Sequence, residues 1–102
     1  MRRATTPTHT FTLPEEVSVT SLSKVVLTYN QDATTVLEKG LSDVIIDSDA
    51  NTISYKLTQD ETNLFAPGKA LIQVRVKNIS GAVFESQMIW LTIKPALNSE
   101  VI

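Results

Sequence analysis

The sequence predicts an all-β protein: an immunoglobulin-like antiparallel β-sandwich of about seven strands, built as one domain over residues 1–102. Three observations predict it. Apolar residues recur at every second position in several stretches, and no window of helical length carries a clean 3.6-residue stripe. These stretches are short and follow one another at roughly 8–12-residue spacing, the rhythm of a sandwich or small barrel. Clusters of Gly, Pro, Asn, Asp and Ser separate them, each type suited to tight turns.

Taken in order, "HTFTL" (9–13) alternates Phe11 and Leu13 with Thr10 and Thr12, and Pro14 with its following acids ends the strand. The polar residues 1–8 before it read as a flexible N-terminal arm. "KVVLTYN" (24–30) puts Val25, Leu27 and Tyr29 on one face, and "TTVLEKG" (34–40) follows after "QDA", a connection of hairpin length. "SDVIID" (42–47) and "NTISYKL" (51–57) flank the turn-rich "DSDA". "KALIQVRVKN" (69–78) directs Ala70, Ile72, Val74 and Val76 inward, and "ISGA" turns it around Gly81. "VFESQMIWLTIK" (83–94) then returns as one strand with Ile89, Leu91 and Ile93 inward, leaving 95–102 as a C-terminal tail.

Between the fifth and sixth stretches lies "LTQDETNLFAPGKALIQVRV". Thr58 and Glu61 have the spacing of a capping box, in which the threonine hydroxyl and the glutamate carboxylate each take the other residue's amide. Asp60 and Glu61 suit the first turn of a helix, where the backbone dipole favours carboxylates. The expectation is one short helical turn near 58–65 with Leu64 and Phe65 dropping into the core and Pro67-Gly68 redirecting the chain. An acid pair for catalysis would need a cleft and partners that shift its pKa, and the neighbouring sequence supplies none.

With 102 residues the chain has room for one core. It has no cysteine, which excludes disulfides, thiolate metal sites and cysteine nucleophiles. A net charge of −2 with no basic cluster beyond Arg2-Arg3 speaks against nucleic acid as a partner, since phosphate binding needs many cations. No apolar run of signal-peptide or membrane length occurs, so the expected place of synthesis is a cytoplasm and no membrane partner is expected. "DSDAN" opens like a calcium loop, but Thr52 and Thr58 stand where glycine and a bidentate glutamate are required. His9 is the only histidine and has no nucleophile motif beside it. Asn78-Ile79-Ser80 is a glycosylation sequon that also suits a hairpin turn. No catalytic, cofactor-binding or metal-binding residue is assigned, and no cofactor is expected.

One feature points to a partner. Met88 and Trp90 occupy the face of the last strand that a solvated sheet would make polar, and Leu71 has the same phase on the preceding strand. Together with Val101 and Ile102 of the tail they are the candidate interface. The other readings are that the arm or the tail folds over the patch, or that a bulge flips the phase.

Several stretches carry a family resemblance: "RRATTPTHTFTLP", "VVLTYNQ", "VLEKGLSDV", "ISYKLTQDETNLFAPGKALIQVRV" and the ending "LNSEVI". In these the chain resembles small phage and prophage structural proteins of Gram-positive bacteria, and it is similar to the N-terminal β-sandwich domain of phage baseplate upper proteins. The resemblance implies a non-enzymatic virion component that assembles with other phage structural proteins and with copies of itself. The alternative is a small ligand-binding sandwich of carbohydrate-binding or adhesin type.

Overall fold

The computed structural model describes residues 1–86 and 88–102. Strands β1 (Thr8–Thr12), β2 (Leu22–Gln31), β3 (Thr34–Gly40), β4 (Ile45–Asp47), β5 (Thr52–Lys56), β6 (Gly68–Asn78), β7 (Val83–Glu85) and β8 (Ile89–Ile93) form two antiparallel sheets. One sheet has the order β1-β5-β4; the other runs β3-β2-β6, with β7 and β8 sharing the far edge of β6. A 3-10 turn (Val19–Ser21) and helix α1 (Gln59–Thr62) complete the assigned elements among the described residues. The predicted antiparallel β-sandwich is the observed fold.

Alternation places the core. Phe11, Ile53 and Tyr55 face inward from the smaller sheet, and Val25, Leu27, Tyr29, Ala70, Ile72, Val74 and Val76 from the larger. Phe65 enters from the loop after α1 and packs its ring edge against Tyr29, with centroids 5.9 Å apart. Each such fully buried large side chain contributes roughly 1.5–3 kcal/mol of transfer free energy. The β2–β3 hairpin turns on Asp32 and Ala33, both at positive φ, the twist that two-residue hairpins require. Gly81 (φ 93°) closes the β6–β7 hairpin, where the Asn78 side-chain oxygen accepts from the amides of Ser80 and Ala82.

Four details depart from the periodicity reading. The stretch 42–47 yields only the three-residue β4, because Asp43 turns the chain back: its amide donates to the Gly40 carbonyl and its carboxylate accepts from the Gly40 amide. Leu64 is exposed: the helix ends at Thr62, and in the turn that follows it is Phe65, not Leu64, that enters the core. The predicted strand 83–94 is two strands, and Gln87 within it lies outside the described residues. Arg75 pairs with Glu85 and Ile72 with Ile89, so this edge holds one residue more than β6 does over the same span. That extra residue is why Phe84 and Ile89, of opposite parity, both face inward.

The N-terminal arm lies alongside the end of β8. The Met1 ammonium donates to the Thr92 carbonyl, the Lys94 amide to the Met1 carbonyl, and the Arg3 amide to the Lys94 carbonyl. Further on, the buried Thr62 hydroxyl donates to the Thr5 carbonyl and accepts from the Thr5 amide, tying the arm to α1.

Candidate interaction surface

The acids that first suggest chemistry are bound up in structure. The capping box forms: the Thr58 hydroxyl accepts from the Glu61 amide at 3.1 Å, and Glu61 accepts from the Thr58 amide at 2.9 Å. The Glu61 carboxylate also takes the Tyr55 hydroxyl at 2.7 Å and the Lys39 ammonium at 3.0 Å. Burial pushes its pKa up, but the Tyr55, Thr58 and Lys39 bonds outweigh burial and hold it below the usual value. The same bond to Glu61 is the main reason the Lys39 pKa is raised. Burial, then the bond to Glu61, raises that of Tyr55. One carboxylate thus joins α1, β5 and β3.

His9 sits 2.7 Å from the Tyr29 hydroxyl through Nδ1. Burial, and secondarily the nearby α-amino group, lower its pKa, while burial raises that of Tyr29. Asp47 of the calcium-like stretch spends Oδ1 on the amides of Asp49 and Ala50.

The outer face of the larger sheet is different. Leu71 and Trp90 are direct cross-strand partners, so their side chains stand on the same face. Trp90 is 66% exposed and Met88 64%, while Leu71 is half-buried. Met88 and Leu71 border a shallow hollow of about 210 Å³ with Val26, Thr28, Gln73 and Arg75. The Lys69 ammonium lies 5.9 Å from the Trp90 ring centroid, a cation–π contact at the rim. The three predicted strand residues therefore come together, and neither terminus is laid over them.

Val101 and Ile102 are placed elsewhere. The Ile102 amide donates to the Gln59 side chain, which returns a bond to the Ile102 carbonyl, and Asn63 donates to the Ser99 carbonyl. The tail therefore lies at the α1 corner, with Ile102 almost wholly exposed and Val101 bordering a hollow beside Thr58 and Gln59.

Two features escape the sequence reading. Asn51, in the left-handed region at φ 55°, donates its side-chain amide to the carbonyls of Leu13, Pro14 and Val17 and accepts from the Val19 amide. It organises the whole 13–19 loop. At that end of the sandwich is a cleft of about 470 Å³ between β1 and the β7–β8 edge, lined by Phe11, Leu13, Val74, Val76, Phe84 and Ile89 among others. Ile89, expected in the core, is 46% exposed because it borders this cleft. No protein-family model matches the chain, and a search of curated proteins finds no match to it.

Proposed function

We propose that this protein is a non-enzymatic assembly subunit, which docks neighbouring structural proteins of a phage particle onto the outer face of its larger sheet. The observation that carries the reading is the cluster of Leu71, Met88 and Trp90: apolar side chains where a solvated sheet face would be polar, rimmed by Lys69 and Arg75. An aromatic anchor with an aliphatic surround and a charged rim is the composition of an interface centre. The phage setting comes from the family resemblance of the strands and turns. The titratable groups favour the same reading, since Glu61, Tyr55, Lys39 and His9 are all engaged in holding elements together.

A carbohydrate-binding role would call for stacked aromatic platforms. Phe11, Tyr29, Tyr55 and Phe65 are buried and Phe84 is half-buried, which leaves Trp90 as the only largely exposed aromatic ring. The test is sedimentation of the purified protein, alone and with the tail and baseplate proteins encoded beside it. Association should weaken at least about tenfold in Trp90→Ala, as for an aromatic hot spot. If every association survives that substitution, the outer face is not the contact.

A further inference from the structure

We infer that the cleft between β1 and β7 receives an extended strand from a partner protein, one that adds to the free edge of β1. The inference is independent of the outer face, because it concerns the opposite surface of the larger sheet.

The hydrogen-bond parity of β1 identifies the chemistry. The Leu13 amide donates to the Asn51 carbonyl and the Leu57 amide to the Pro7 carbonyl, both in the register that pairs His9 with Tyr55 and Phe11 with Ile53. Pro7, His9, Phe11 and Leu13 therefore point their backbone groups at β5. By the alternation of an antiparallel ladder, Thr8, Thr10 and Thr12 point theirs away from it. Thr10 and Thr12 are exposed and line the cleft, on the side to which these backbone groups point. β7 has the complementary arrangement. The Ser86 amide bonds to Val74 and the Asn78 amide to Ala82, which turns the backbone groups of Val83 and Glu85 to the outer edge.

The sandwich is also wider on one side. The larger sheet has four strand positions across (β3, β2, β6 and the shared β7–β8 edge), whereas the smaller has three. Phe84 and Ile89 of the β7–β8 edge both border the cleft, and Ile89 is 46% exposed there. A fourth strand beside β1 would cover them with alternate apolar side chains while its backbone met Thr8, Thr10 and Thr12. Further along the same overhanging edge, Met1–Arg3 already covers Thr92–Lys94. Among the described residues no backbone bond is made to the outward groups of Thr8, Thr10 and Thr12, and an open, apolar-flanked edge is a template for strand addition.

Charge narrows the partner. Glu15 and Glu16 follow Pro14 at one end of the cleft, and Glu85 borders it, paired with Arg75 at 3.7 Å with both side chains exposed. The expected occupant is an extended segment of alternating apolar residues flanked by Lys or Arg.

The test is an NMR titration of the intact chain with a synthetic peptide that alternates valine and threonine between terminal lysines. Binding should slow amide exchange at Thr8, Thr10 and Thr12 and shift the methyl signals of Val74, Val76 and Ile89. Thr10→Pro removes a donor that β5 does not use, so the fold is retained while affinity falls about tenfold, the worth of one or two hydrogen bonds. Glu85→Lys should weaken binding through charge alone, and Trp90→Ala should leave it unchanged. No response at Thr8–Thr12 with excess peptide overturns the inference, as does undiminished binding to Thr10→Pro. Protection of the same amides in concentrated protein without peptide would give the edge to a second copy, and overturn the assignment to a partner.

Discussion

At the scale of single residues, most of the organisation comes from side chains that stand in for backbone. Asn51 is the clearest case: one amide group serves four backbone partners of the 13–19 loop and sits at a φ that asparagine tolerates better than most residues. Asn51→Ala leaves the Val19 amide and three carbonyls without that partner in a half-buried setting. The expected loss is about 2 kcal/mol of unfolding free energy, read by urea denaturation. A loss indistinguishable from that of an exposed surface substitution would mean that water replaces the bonds. Gln31 works similarly, clasping both the amide and the carbonyl of Ala66 at 2.8 and 2.7 Å and so fixing the loop that delivers Phe65. Neither role was legible in the sequence, because the partners lie more than thirty residues away along the chain. The Thr58–Glu61 box was legible because both of its partners fall within one turn.

Among the elements, α1 matters beyond its four residues. Through Glu61 it is bonded to β5 and β3, and through Thr62 to the N-terminal arm. The Glu61 pKa in the folded state lies below its ordinary value of 4.5, so between those two values the unfolded chain binds more protons. The contribution to stability is complete above pH 4.5 and is lost as the pH falls through the folded-state value. Unfolding free energy measured down to pH ~3 should therefore decline less steeply in Glu61→Gln than in the wild type, since glutamine occupies the cap without titrating. Parallel curves would show that other carboxylates govern the acid limb. The strands were legible wherever alternation is regular, as in β2 and β6. The break between β7 and β8 was not, because register belongs to the pairing with β6 and one extra residue reverses the phase of everything after it.

For the whole molecule, the informative property is the mismatch in width between the two sheets, which no local pattern records. It arises because β7 and β8 extend the larger sheet past β1, and it opens the cleft on the side where Asn51 anchors the loop. The candidate outer face was legible as far as Leu71, Met88 and Trp90, since alternation within each strand sets Met88 and Trp90 opposite Ile89, Leu91 and Ile93, and Leu71 opposite Ala70 and Ile72. The place of Val101 and Ile102 could not be counted, because the tail follows Gln59 and Asn63 rather than a strand register. The exposure of Trp90, the chain's one tryptophan, has an optical consequence. Its emission should already be red-shifted in the native state and change little through a denaturant transition that circular dichroism records fully. Contact with a partner on the outer face should instead shift it to the blue. The indole is therefore nearly blind to folding and sensitive to docking, which lets a single fluorescence channel report assembly without interference from unfolding.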